Sequence, residues 1–271
     1  MILTVLADNR RISFAFFDKN DAKTTPLCTF SLSAHPARTA DEYAALLEAF
    51  SKRAAISTPR LAILGCVVPP LTDELCRAVK LLFGNISCLT VGAGLRSGLT
   101  LRTDAPAELG ADLVAMAVGA TALQKPPFLV LHCGEVTTLS AVAAGKDAPT
   151  YLGCAILPGA TLCAKSLKED AAQLSTVALS KPAHAIGKNT ADSVRAGVLF
   201  GHAAAIEHLI AKFETEMGEE NLPVIATGEE ADLILPLLGR STQKADALAH
   251  IGLCKIALLN EKKTANPAKR S

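Results

Sequence analysis

The strongest constraint on this chain is a pattern that occurs twice. Residues 2–7 form a short apolar run, Asp8-Asn9 interrupts it, and Ile12 to Phe17 resumes it. Asp and Asn tolerate turn conformations, so the segment reads as strand, tight turn, strand. The pattern restarts at Phe128-Leu129-Val130-Leu131, turns over His132-Cys133-Gly134-Glu135, and continues from Val136 to Ala143. Helical and strand-like segments follow each opening. Thr39, with Glu42 three residues later, marks a capping box at the head of a helix over 39–53. Residues 61–67 are a continuous apolar run suited to a buried parallel strand. Pro69-Pro70 closes that run, and Asp73 to Phe83 is the next expected helix. Gly92, Gly94 and Gly98 mark an irregular loop before a helix from Ala107 to Ala122. In the second half, Tyr151 to Leu157 is strand-like and ends at Pro158-Gly159. Helices are expected at 160–173 and 191–217, then a strand at 223–226 and a loop at Thr227-Gly228.

Two units that open alike predict an internal duplication. The expected fold is α/β, with two RNase H-like domains of the actin-like ATPase superfamily and a cleft between them. The expected boundaries are 1–122 and 123–260, with a polar tail at 261–271. A G-x-x-x-x-G-K-[ST] loop is absent, as is a G-x-G-x-x-G after the first strand.

Composition narrows the function classes. Lys and Arg number 27 against 26 Asp and Glu in 271 residues, so no basic excess offers a nucleic-acid surface or a polybasic membrane patch. The N-terminus lacks a basic start and long apolar core, and no apolar stretch reaches the roughly 18 residues of a membrane span. A cytoplasmic protein is expected. The eight cysteines show no CxxC pair, which suggests buried free thiols rather than disulfides or a structural zinc site. His202 and His208 lie six apart on an expected helix and so do not share a face.

Five stretches raise a more specific reading. Arg38-Thr39-Ala40-Asp41-Glu42-Tyr43, Val67-Val68-Pro69-Pro70-Leu71-Thr72, Gly110-Ala111-Asp112, Ile186-Gly187-Lys188-Asn189-Thr190 and Ala226-Thr227-Gly228 resemble, in order and spacing, the signature stretches of the type III pantothenate kinases. The resemblance runs over roughly residues 1–260. It implies ATP-dependent phosphorylation of pantothenate, the entry to coenzyme A synthesis, by a dimer of the actin-like fold, with Mg²⁺ or K⁺ as cations. It also implies that Asp112 is the base for the pantothenate hydroxyl, a role a carboxylate suits in phosphoryl transfer. Gly92, Gly94 and Gly98 fall in the substrate loop, and Thr190 matches a threonine that reaches the pantothenate pocket across the dimer. The arginine expected after Asp112 is Leu113.

On the nucleotide side the resemblance breaks. The family's Asp-x-Gly-Asn-Thr turn is Leu6-Ala7-Asp8-Asn9-Arg10 here, so the metal-organising Asp is a leucine and the glycine a carboxylate. The family's Asp-Phe-Gly-Thr-Ala-Thr-Thr turn is His132-Cys133-Gly134-Glu135-Val136-Thr137-Thr138. In Thr227-Gly228-Glu229, an acid replaces the second glycine of Thr-Gly-Gly. Each carboxylate near a triphosphate costs on the order of 1–4 kcal/mol at about 4 Å. The nucleotide set is therefore expected to be degenerate: Asp8, Asn9, Arg10, Gly134, Glu135, Thr137, Thr138, Thr227 and Gly228, with no metal ligands assigned. Three readings follow. The first is a kinase-like subunit, inactive or weak alone, that forms a homodimer or pairs with an intact paralogue. The second is an active kinase with an unorthodox metal site built on Asp8 and Glu135. The third is a non-catalytic sensor of pantothenate or a coenzyme A precursor.

Overall fold

A computed structural model of the chain describes residues 1–18, 25–84, 86–170 and 177–264. In chain order, β1 (Ile2–Ala7), β2 (Arg11–Phe17), β3 (Cys28–Ser33), α1 (Ala40–Arg53), β4 (Leu61–Cys66), α2 (Pro69–Phe83), β5 (Ser87–Thr90) and β6 (Thr100–Leu101) precede α3 (Ala111–Ala120). Then come β7 (Phe128–His132), β8 (Val136–Ala143), β9 (Thr150–Pro158), α4 (Ala160–Asp170) and α5 (Thr190–Met217). The last elements are β10 (Val224–Thr227), α6 (Ala231–Ile234), β11 (Gln243–Lys244) and α7 (Leu248–Thr264).

Two compact units divide these elements. One comprises Met1–Lys125, Lys146–Pro149 and the chain from Ala247 onward; the other comprises Pro126–Gly145 and Thr150–Asp246. The boundary expected at residues 122/123 left the stretch after 247 with the second half, whereas its packing joins it to the first.

In the first unit the strands run in the order β3-β2-β1-β4-β5. β1 pairs antiparallel with β2 and parallel with β4, so the opening hairpin and the apolar run at 61–66 form one sheet. Leu3, Val5, Phe14, Phe16 and Leu64 bury one face of it under Tyr43 and Leu47 of α1 and Leu75 and Val79 of α2. The Thr39–Glu42 capping box is present at the start of α1. α2 begins four residues earlier than expected, at Pro69. Both prolines fall in the first turn, where a missing N–H leaves no helical bond unmade. The helix expected from Ala107 begins at Ala111, after a separate 3-10 turn at Pro106–Glu108. β3, β5 and α7 have no counterpart in the sequence reading.

α7 packs on α3 with two glycines at the contact. A Cβ on Gly252 would run into the carbonyl of Ala115, and one on Gly119 into the carbonyl of Leu248. From the same helix, His250 reaches the hairpin. Its Nδ1 lies 2.8 Å from the Thr4 hydroxyl and its Nε2 2.9 Å from the Ser13 hydroxyl. The imidazole is buried, and desolvation holds its pKa down to about 4.

In the second unit the strands run in the order β11-β10-β7-β8-β9. Leu129, Leu131, Leu139 and Val224 bury against Leu199, Ile206 and Ile210 of α5. α5 is 28 residues long and apolar enough, by length and composition alone, to cross a membrane. Its buried Ala196, Val198, Leu199, Ala203, Ile206 and Ile210 account for much of that apolarity. All eight cysteines are free, as expected, but Cys133 and Cys254 alone are fully buried and the other six are half-buried.

Gly252→Ala should lower the urea midpoint, because overpacking against backbone costs about 1–3 kcal/mol. Gly201→Ala, where a Cβ meets open space on α5, should raise it slightly, since alanine is the better helix former. The His250 shift sets a second expectation. An unfolded imidazole titrates near 6.5 and the folded one near 4, so the unfolded chain binds more protons in that window. Stability should be full above about pH 6.5 and fall by on the order of 3 kcal/mol as pH drops through the window. Urea unfolding across a pH series checks this, and His250→Gln should flatten that part of the profile.

Candidate functional site

The first turn is closed by its own side chain. The Asp8 N–H bonds the Arg11 carbonyl at 2.9 Å, and Asp8 Oδ1 accepts the N–H groups of Arg10 and Arg11, each at 2.7 Å. This is the local side-chain-to-backbone bonding that favours Asp in turns. Asp8, Asn9 and Arg10 are exposed, and the Arg10 carbonyl accepts the Ala34 N–H at 2.7 Å. Leu6 is half-buried, with a methyl group against Gly65.

Asp112 sits half-buried in the first turn of α3, where the helix dipole favours an anion. The neighbouring Leu113 is buried in the core, so the absence of a cation there is also a packing choice. Gly92, Gly94 and Gly98 lie in the loop after β5, with Gly94 and Gly98 at φ +85° and +84°, the left-handed region open to glycine. Asn260 of α7, 1% exposed, clamps that loop: its Oδ1 accepts the Arg96 N–H at 3.2 Å and its Nδ2 donates to the Arg96 carbonyl at 2.8 Å. Sequence reasoning missed Asn260, because nothing in the sequence pairs position 260 with position 96.

In the second unit, two glycines bring separate segments to the β7–β8 turn. A Cβ on Gly159 would strike the Gly134 carbonyl, and one on Gly228, at φ +106°, the Cys133 carbonyl. Backbone bonds join the same pieces: Cys133 N–H to Thr227, Gly159 N–H to Glu135, and Glu230 N–H to Cys133. The structure thus gathers Gly134, Glu135, Thr227 and Gly228 at one place. Thr137 and Thr138 are buried on opposite faces of β8, and the Thr137 hydroxyl is 3.0 Å from His202 Nε2. Burial lowers the pKa of that imidazole, and the Glu230 charge opposes the shift. Cys133 is packing, as its match to an apolar residue suggests; burial foremost, then Glu230, pushes its thiol up to about 12.

The acid that enters this unit's interior is Glu230 rather than Glu229. Glu229 is exposed, whereas Glu230 is 7% exposed. Its Oε2 accepts the Ala160 N–H at 2.9 Å and its Oε1 the Thr161 N–H at 3.0 Å, capping the first turn of α4. The Glu-Glu pair gave no sign which of the two would turn inward. Thr190 is exposed in the first turn of α5, after Asn189, whose side chain accepts the Asp192 N–H. Beside it, Lys181, His184, Lys188, Asp192 and Arg195 line a cavity of about 210 Å³. Among the described residues, no group of three or more His, Cys, Asp and Glu side chains is placed to hold a metal ion.

A sequence profile described as Type III pantothenate kinase matches residues 2–212. The chain belongs to the type III pantothenate kinase family. It is 35% identical over 239 residues to the type III pantothenate kinase of Roseiflexus sp. (strain RS-1), covering 86% of this chain and 89% of that protein. It is 35% identical over 210 residues to that of Dehalococcoides mccartyi (strain ATCC BAA-2266 / KCTC 15142 / 195), covering 77% and 80%. Among solved structures, a protein described as a Baf family transcriptional activator from Campylobacter jejuni matches with a TM-score of 0.59 at 17% identity, over 96% of this chain and 99% of that one. A ROK family glucokinase from Streptomyces griseus matches with a TM-score of 0.51 at 14% identity, over 96% and 99%. These likenesses carry the fold alone, an α/β arrangement shared with those two proteins.

Replacing Glu230 removes a charge-assisted acceptor from two helix-terminal N–H groups. Glu230→Ala should destabilise the second unit by about 1–3 kcal/mol, and Glu230→Gln by less. Hydrogen exchange at Ala160 and Thr161 locates the loss.

Proposed function

We propose that this chain is a type III pantothenate kinase-like subunit whose own nucleotide site is degenerate. It is weak or inactive alone and works in a homodimer or with a partner whose turns are intact. One observation carries the reading. The first-turn N–H groups of Arg10 and Arg11 are already taken by the Asp8 carboxylate. A phosphate arriving there would have to displace a covalently tethered anion and then sit beside it. The Glu230 bonds at the head of α4 support the same view. Family membership implies ATP and a metal ion, but the residues present do not fit them. Leu6 offers no ligand, and the Asp8 and Glu230 carboxylates are spent on backbone N–H groups.

The substrate side is better kept. Asp112, in the first turn of α3, would accept the proton of the pantothenate hydroxyl, and Gly94 and Gly98 shape the loop after β5. Thr190 stands exposed beside Ile186, which is 82% exposed, as suits a segment that meets a second subunit. The reaction served is pantothenate phosphorylation in the cytoplasm.

Titration calorimetry of the pure protein with Mg·ATP should show no saturation in the micromolar range, and pantothenate should not turn over. Micromolar affinity with turnover would overturn the proposal. The Leu6→Asp, Asp8→Gly, Glu229→Gly triple variant should bind nucleotide at least about tenfold more tightly, since each clash removed is worth about that factor.

A further inference from the structure

The first unit holds a pair of thiols that the kinase reading does not use. Cys76 of α2 and Cys88 of β5 place their sulfurs 3.3 Å apart, and both residues are half-buried. The Thr90 hydroxyl lies 4.0 Å from the Cys76 sulfur. Cys66 and Cys163 instead direct their sulfurs at backbone carbonyls. We propose that Cys76 and Cys88 are an oxidisable dithiol, a modification site at which a small disulfide converts the pair to an intramolecular Cys76–Cys88 bond. The proposal rests on this geometry and is independent of the state of the nucleotide site.

The chemistry divides unequally between the two sulfurs. The hydrogen bond with Cys88 lowers the Cys76 pKa to about 7, against the effect of burial. The Thr90 hydroxyl and the Lys80 charge help, and Asp73 opposes. Cys88 is pushed up by the same bond and by burial. Cys76 is therefore the nucleophile, since the thiolate is the attacking form. Its sulfur attacks one sulfur of oxidised glutathione, that S–S bond breaks, and one glutathione leaves as thiolate. Cys88 gives its proton to a released thiolate and attacks the Cys76 sulfur, expelling the second glutathione. The protein pair loses two electrons and the small disulfide gains them. A covalent bond needs sulfurs about 2 Å apart with a defined dihedral, a small closure from the observed contact. β5 leads directly into the loop of Gly92 and Gly94, so the bond ties α2 to the base of that loop.

The test uses the full chain, treated with oxidised glutathione and then alkylated. Intact mass should fall by two hydrogens relative to the reduced protein before alkylation, and peptide mapping should return a Cys76–Cys88 cross-link that dithiothreitol reverses. Cys88→Ser should stop at a stable glutathione adduct on Cys76, and Cys76→Ser should leave Cys88 slow to react. Wild-type protein that accumulates the Cys76 adduct without closing, or that links other cysteines first, would overturn the proposal. The wild-type mapping decides the matter even where a variant folds poorly.

Discussion

The close crossing of α7 on α3 is the contact on which the first unit depends. Two glycines let the helices meet backbone to backbone, and the crossing positions the rest of α7. His250 then lands on the hydroxyls of β1 and β2, and Asn260 on the loop at Arg96. One helix, late in sequence, thereby sets the hairpin with Asp8, the helix with Asp112, and the loop with Gly94 and Gly98. A wider separation would leave a buried imidazole and a buried amide without partners, and unmet polar groups in a core are costly.

What was legible in the sequence is what short-range pattern encodes. Strand–turn–strand at 2–17 and 128–143 followed from alternating apolar runs broken by turn residues, and the helix at 40–53 from its capping box. The motifs around Asp112 and Thr190 gave the family. What stayed hidden depended on partners far along the chain. α7 is apolar on most sides because it is buried among α3, β1 and β4, so no amphipathic stripe announces it. β3 is an edge strand with alternating half-buried and exposed residues, and its pairing with β2 is a tertiary choice. The two prolines of α2 were read as a stop, although the same chemistry makes them a start.

The candidate site shows the same division. Substitutions at the turns were visible residue by residue, and acids in place of small residues signalled altered chemistry. Which acids mattered was not visible. Glu229 matched the family's glycine, but Glu230 goes inward, because the first turn of α4 offers two N–H groups and Gly228 bends the backbone towards them. Thr137 matched a nucleotide-side threonine, yet strand alternation and His202 place its hydroxyl in the core.

The Asp8 turn also bears on how such a site changes over time. With its N–H groups satisfied by its own side chain, the hairpin is complete before any ligand arrives, and its folding asks nothing of metabolite supply. Restoring the family's aspartate at Leu6 alone would set a second carboxylate two positions from the first. Removing Asp8 alone would clear the turn but leave no group to organise a metal. Neither single change by itself gives a turn that could take both a phosphate and a metal ion, so positions 6 and 8 act as a pair.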